Sequence, residues 1–359
     1  MTKATTTEQA QGQSKERGVL YVGVDLGTSR TSIAASNGVR ETVASVVGYP
    51  KDVVARKLLK VETLFGADAM AKRLSLDFYR PLEKGVIKYS DNGRDTPEAK
   101  ANMRAARDLV KHAISLARPR KDELIYGVIG CPAEGSLKNK QAIIEAAREV
   151  LDSVMICSEP FAVAYGIDRL DDTLVIDIGA GTTDLCRMHG TLPAEEDQIT
   201  LTAAGDSIDT LLFKLLTDKF PGAQFTQNMI KEIKEKHAFV FDAADNVKVT
   251  LPVGGKLTEF DITTEMRQAC RSIIPPIVES LQRLIASFDP EFQERLRNNV
   301  LLGGGGSQIK GLARAIEEEM HSRLGGGRVI MVEEPMYGGA NGALKIAHDM
   351  PAEFWERLK

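Results

Sequence analysis

Apolar residues run almost unbroken from Val19 to Leu26 (VLYVGVDL) and stop at Gly27-Thr28-Ser29. A short β-rich run closed by a turn signal predicts a buried strand. Residues 31–36 (TSIAAS) predict a second strand. The Asn37-Gly38 that follows is a strong hairpin dipeptide, so the chain is expected to open as an antiparallel meander. Between 96 and 118 the period lengthens: Ala, Met, Leu and Val recur at helical spacing, Thr96 suits the N-cap and Pro97 the first turn. Strand-like runs return at LIYGVIG, VMICS, TLVIDIG and QITLTA, with helical patterns over 138–151 and 207–220 among them. A helix is predicted in the 266–288 region, where Pro275-Pro276 should break or kink it. A strand NNVLLG, a helix over about 309–324 and a last strand VIMV complete the pattern. Alternating strands and helices imply an α/β fold.

The opening pattern recurs. VGVDLGTSRTSIAAS, from Val22, matches LVIDIGAGTTDLCRM, from Leu174: an apolar strand, an Asp, a glycine turn with Thr, and a second strand. Spacing this long excludes a solenoid unit and predicts two similar halves, each with its own sheet, with the crossing near Asp171-Asp172. Physically, a strand entering a tight glycine turn presents several backbone N–H groups at its tip, a nest that binds anions. The candidates are Gly27, Thr28 and Ser29 in the first half, and Gly179, Gly181, Thr182 and Thr183 in the second. Each turn follows an aspartate, Asp25 or Asp177. A carboxylate beside polyphosphate is repulsive unless a cation intervenes, and Mg²⁺ is suited because it keeps waters and needs only one or two carboxylates. A third cluster, Gly303 to Ser307 (GGGGS), lies between a strand and a helix and is placed to lie flat against a nucleotide.

Competing motifs are absent. There is no G-x-x-x-x-G-K-[ST], no H-E-x-x-H and no G-x-S-x-G. GAGTTD is followed by a strand-like LCRM, whereas the dinucleotide fingerprint must open a helix.

Composition narrows the class further. The 359 residues are 43% apolar and 27% charged, which excludes disorder over most of the length. A net charge of −4 argues against a dedicated nucleic-acid binder. No apolar run approaches the ~18 residues of a membrane span. Cys131, Cys157, Cys186 and Cys270 include no C-x-x-C pair and have no His cluster beside them, which points to reduced thiols in a cytoplasmic protein. Residues 1–17 lack an apolar core and periodicity, so they are read as a polar flexible tail, neither a signal peptide nor a membrane-inserting helix.

Taken together in this order, DLGTSRT, DIGAGTTD and GGGGSQIKGL resemble the ATPase fold shared by actin, the bacterial actins, the seventy-kilodalton heat-shock chaperones and sugar kinases. AGDSIDTLLFKLL followed by IKEKHAFV resembles the actin branch, and SVVGYPKDV, CSEPFAVAYG and DIGAGTTDLC resemble the magnetosome-aligning bacterial actins. The resemblance implies an α/β actin-like fold of two similar lobes and four subdomains around a nucleotide cleft. Lobe I would comprise 18–170 and 335–359, with a small subdomain at about 51–96. Lobe II would comprise 171–334, with a small subdomain at about 206–268.

ATP and Mg²⁺ are the implied cofactors. Asp25 and Asp177 would hold the hydrated metal. Gly27, Thr28, Ser29 and Arg30, with Gly179, Ala180, Gly181, Thr182 and Thr183, would cradle the phosphates. Gly304, Gly305, Gly306 and Ser307 would face the adenosine, and Lys231, Lys234 and Glu235 would lie near ribose and base. Glu159, helped by Thr182, would orient the hydrolytic water. Pro160 suits the first turn of a helix, whose N-terminus favours an ionised Glu159. Glu333-Glu334-Pro335 imitates the triplet found at this site in the cell-shape bacterial actins but stands in the wrong order; the site here reads Ser158-Glu159-Pro160. The implied activity is ATP hydrolysis coupled to a head-to-tail homopolymer that organises magnetosomes through an adaptor protein on their surface. The alternative on the same fold is a small-molecule, sugar-type kinase.

Overall fold

Each half of the chain is built on a five-stranded sheet, and the two sheets share one topology. In the first, β1 (Val19–Leu26), β2 (Arg30–Ala35), β3 (Arg40–Ala44), β4 (Leu124–Cys131) and β5 (Ser153–Ser158) are ordered β5-β4-β1-β2-β3. In the second, β6 (Thr173–Ile178), β7 (Thr183–Met188), β8 (Gln198–Leu201), β9 (Val300–Gly303) and β10 (Val329–Met331) are ordered β10-β9-β6-β7-β8. Three antiparallel strands come first in each, followed by two that return parallel to the leader. The computed structural model describes residues 17–84, 86–88, 96–132, 136–241 and 246–358. The predicted tail, apart from Arg17, lies outside the described residues.

The apolar runs that mark β1 and β6 have a direct cause. All of β6 is buried, as are Val22, Gly23 and Val24 of β1, because helices cover both faces of each sheet and leave no polar side. The helix predicted from residue 96 is α1 (Pro97–Leu116); Thr96 Oγ1 accepts from the Ala99 amide at 3.1 Å, and Leu109, Val110 and Ile114 enter the first core. A second core gathers Leu174, Ile176, Leu212, Ile277 and Leu302. The predicted break at Pro275-Pro276 separates the helices Thr263–Arg271 and Ile274–Ala286, with the prolines in the first turn of the second.

Some boundaries differ. The helix expected from about 309 begins at Leu312, because Gly311 takes a positive φ of 81° before it. Each half also carries an insertion after its third strand. In the first it holds a small sheet of Val47–Pro50, Leu64–Phe65 and Leu76–Tyr79, starting ahead of the predicted boundary at 51. In the second it begins with helices α3 (Gly205–Lys219) and α4 (Gln227–His237) and continues into the hairpin Lys248–Val253 with Lys256–Asp261.

Two helices hold the first sheet to the second. α2 (Glu159–Gly166) follows β5 directly and packs on β6 and β7. α5 (Gly338–Asp349) returns from the end of the second half to lie on β1, β4 and α2. The approach is so close that a Cβ on Gly23 would sit 2.2 Å from the Ala340 carbonyl oxygen, and one on Gly342 would sit 1.7 Å from that of Ala162. Trp355, 1% exposed, fastens the following segment by stacking on Tyr126 at 5.2 Å. Its Nε1 donates to the Ala347 carbonyl at 3.3 Å.

Gly342→Ala is therefore expected to force α5 off α2 and to destabilise the fold by about 2–3 kcal/mol, the usual cost of overpacking. A urea titration that left the midpoint unchanged would show that the helices are free to separate.

Candidate functional site

The two glycine turns meet. Between β1 and β2, the Ser45 amide donates to the Ser29 carbonyl at 2.9 Å and Ser45 Oγ to the Gly27 carbonyl at 2.7 Å, fixing the first turn. Between β6 and β7, the Gly179 amide donates to the Thr182 carbonyl at 2.9 Å. The start of α3 closes over that turn, with the Gly205 and Asp206 amides donating to Gly179 and Ala180 at 3.1 and 2.7 Å. A Cβ on Gly181 would lie 2.5 Å from Thr28 Oγ1 and 2.7 Å from Lys84 Cα, so only glycine permits the contact.

Both turns open on one cavity of about 290 Å³. Asp25, Gly27, Thr28, Ser29 and Arg30 line it from the first half. Asp177, Gly179, Ala180, Gly181 and Thr182 line it from the second. Glu159 reaches it from the start of α2, Lys231, Lys234 and Glu235 from α4, and Gly304, Gly305 and Gly306 from the end of β9. The glycine cluster lies flat on β6: a Cβ on Gly304 would be 2.3 Å from Asp177 Oδ1, and one on Gly306 would be 2.2 Å from Ile178 Cγ2.

Two predicted residues point elsewhere. Thr183 is fully buried and its Oγ1 donates to the Ala203 carbonyl at 2.7 Å. Strand alternation turns it into the lobe once Thr182 faces the cavity. Ser307 is 1% exposed and its Oγ donates to the Gly304 carbonyl at 2.7 Å, bracing the glycine turn from behind. Neither side chain lines the cavity. Arg30 lines the cavity, and its guanidinium crosses the cleft to Glu235 Oε2 at 3.0 Å. Lys231 donates to Ser29 Oγ, and Lys234 is held by Asp209 Oδ1 and the Gly205 carbonyl, each at 2.9 Å. Glu334 of the misleading triplet is a surface residue paired with Arg40 at 2.8 Å.

The electrostatics at the base of the cavity are one-sided. Burial pushes the Asp25 carboxyl up to about 6. Burial, followed by the charges of Asp25, Asp184 and Asp177, raises Glu159 well above the carboxylate range. Burial, then Asp25 and Asp184, does the same to Asp177. Glu159 Oε1 is buried without a hydrogen-bond partner. Among the described residues none of Asp25, Asp177 and Glu159 is in an ion pair. Asp184 is a member of this group that sequence reasoning passed over. It stands opposite Asp177 across the β6–β7 pair and accepts from Thr200 Oγ1 at 2.5 Å. An Asp inside the strand-like run TDLCRM was the available signal. Asp206, Gln308 and Lys310, which stand inside quoted motifs but were given no role, also line the cavity, as does Met336, which no motif marked.

Comparison with known proteins agrees with this architecture. The pattern of the family described as MreB/Mbl protein matches residues 20–353. The chain is similar to the actin-like protein MamK of Paramagnetospirillum magneticum, 38% identical over 98% of each chain. A solved MamK double helical filament superposes with a TM-score of 0.88 at 37% identity, covering 93% of this chain and 100% of that one. A non-polymerising MamK mutant bound to AMPPNP, at the same identity and coverage, superposes at 0.69. With its fold, its paired acidic turns and these relatives in agreement, the chain belongs to the MreB/Mbl family of actin-like proteins, alongside the proteins named MamK.

Proposed function

We propose that the chain binds ATP with Mg²⁺ in this cleft, hydrolyses the nucleotide, and polymerises head to tail into cytoplasmic filaments that position magnetosomes through an adaptor on their surface. The observation that carries this reading is the contact of Gly181 with Thr28, which sets two acidic glycine turns on one cavity. A relative solved as a filament and another solved with AMPPNP support the assembly and the ligand. The same relatives, named as actin-like proteins, favour the filament over the kinase alternative. No helix among the described residues is long and apolar enough to cross a membrane.

The residues present fit a hydrated divalent cation. Asp25 and Asp177 are crowded by like charge, and Glu159 Oε1 has no partner. Among the described residues no three such side chains lie close enough to grip an ion directly. That suits Mg²⁺, which keeps its waters and takes one or two carboxylates. When bound, Mg²⁺ supplies positive charge against the phosphates. Asp25 and Asp177 would hold it, and the backbone amides of the two turns would receive the phosphate oxygens. Lys231, Lys234 and Glu235 would bound the sugar and base on one side, with Gly304, Gly305 and Gly306 on the other. Glu159, at the start of α2, would accept a hydrogen bond from water and aim it at the terminal phosphate, with Thr182 beside it. Phosphoryl transfer needs little more than such positioning and charge stabilisation.

Wild-type protein is expected to pellet on addition of Mg-ATP. Glu159→Ala should still pellet while releasing phosphate about 10²-fold more slowly; unchanged release would remove Glu159 from the water-orienting role. A second expectation concerns the nucleotide-free chain. With Asp25 held at about 6, the folded form binds more protons than the unfolded one between about pH 4 and pH 6, so stability falls as pH rises through that window. Asp25→Asn should flatten the slope and raise stability at pH 7 by on the order of 2–3 kcal/mol. A pH dependence of stability from pH 4 to 8 that is the same in the two proteins would contradict the burial assigned to the Asp25 carboxyl.

A further inference from the structure

Arg30 and Glu235 belong to different halves of the chain, yet both line the cavity and their side chains meet across it. Glu235 stands on α4, next to Lys234, and its side chain is 40% exposed. A glutamate that open can turn through several rotamers, so its oxygens need a partner to hold them in one place. Two cations of its own helix are engaged elsewhere. Lys234 is committed to Asp209 and the Gly205 carbonyl, each at 2.9 Å. Lys231 donates to Ser29 Oγ, and its Nζ lies 4.0 Å from Glu235 Oε1. Arg30 Nη2, 3.0 Å from Glu235 Oε2, makes the holding contact.

The guanidinium is itself braced. Arg30 opens β2, where it pairs with Ala44 of β3. Its Nη1 lies 3.9 Å from Met336 Sδ, and the Met336 carbonyl accepts from Ser32 Oγ, on the same strand, at 3.3 Å. Met336 in turn rests on the glycine cluster: a Cβ on Gly305 would be 3.5 Å from its Sδ. One guanidinium thus spans from α4 to the residue that packs on Gly305, the two walls between which the nucleoside would lie.

The pairing occupies Glu235 Oε2 and leaves Oε1 to accept. A carboxylate cannot donate, so it takes a ligand group that can. In a nucleotide those groups are the ribose hydroxyls and, in adenine, the amino group. Arg30 directly follows the first glycine turn, Gly27 to Ser29, which would receive phosphate. The sugar is the part of a nucleotide joined to the phosphates, so the sugar comes within reach of a carboxylate tied to that residue.

We propose that Arg30 is a positioning residue for the sugar: by holding Glu235 Oε2 it aims Oε1 at a ribose hydroxyl, and so sets a preference for ribonucleotides over deoxyribonucleotides. The proposal rests on the reading of this cleft as a nucleotide site and names what decides its choice of sugar. Because the two residues come from opposite halves, the sugar is read only while the halves stand together. A hydrogen bond to a charged acceptor is stronger than one between neutral groups, and a site shaped around a hydroxyl rejects the analogue that lacks it.

The test titrates ADP, 2′-deoxy-ADP and 3′-deoxy-ADP into the full chain by calorimetry with Mg²⁺, which avoids hydrolysis. Wild type is expected to bind ADP about tenfold more tightly than the analogue that lacks the hydroxyl facing Glu235, the low end for a charged hydrogen bond because the carboxylate is partly open to water. Arg30→Ala should shrink that ratio to about twofold or less, and adding it to Glu235→Ala should lower the ratio no further. Melting curves establish that each variant folds. An Arg30 that acted on the phosphates would weaken all three ligands alike, so a ratio unchanged in Arg30→Ala overturns the proposal. A wild type that binds ADP and both analogues equally overturns it too. Inosine diphosphate, which lacks the amino group, separates the base from the sugar: a loss of affinity that depends on Arg30 for this ligand and not for the deoxy analogues assigns the carboxylate to the base and overturns the proposal. Wild-type protein that binds no ADP takes the nucleotide reading down as well.

Discussion

Negative charge confined at the base of a cleft is the constraint around which this molecule is arranged. Asp25, Asp177 and Glu159 converge there from three different elements, with Asp184 behind them. Burying like charges together is costly, and a fold keeps such an arrangement only where something else offsets the cost. Here each carboxylate stands at the end of a strand or the start of a helix, and none is free to swing away to solvent. A cation bound there would relieve the repulsion, and the state of the cleft would then depend on what occupies it.

A change in the cleft would reach the rest of the structure, because the two halves touch at stiff places. Gly181 meets Thr28 with no room for a side chain, and α5 lies on β1 and α2 with backbone against backbone. Across the mouth of the cleft, Arg30 reaches Glu235 and Lys231 reaches Ser29. The Arg30–Glu235 pair is partly exposed and contributes little stability on its own. Its position matters more than its strength, since it joins the first glycine turn to the helix that lines the cavity from the other half.

The shared sheet topology explains why one motif serves twice. In each half Asp is the penultimate residue of the first strand, a glycine turn follows, and the third strand delivers the chain to an insertion at the cleft end. The insertions differ, a small sheet in one half and helices with a hairpin in the other, and the halves accordingly play different parts. The insertion of the second supplies the α4 residues along the cavity.

Much of this was legible in one dimension. The buried strands announced themselves because strands covered on both faces must be apolar throughout. The glycine turns did so because close backbone approach excludes other residues there, and the matched copies located Asp25 and Asp177 together. Which side chains share a cavity was decided only by the folded chain. Alternation along β7 turned Thr183 inward, the tight turn after β9 put Ser307 behind the glycines, and Arg30 found a partner 205 residues away. α4 and α5 left weak signals, the first being charge-rich and the second small-residue-rich. Asp184 looked like the end of a motif until strand pairing set it against Asp177. Local conformation follows from neighbours a few residues apart, whereas the meeting of distant carboxylates depends on how whole sheets pack, and no periodicity in the chain encodes that distance.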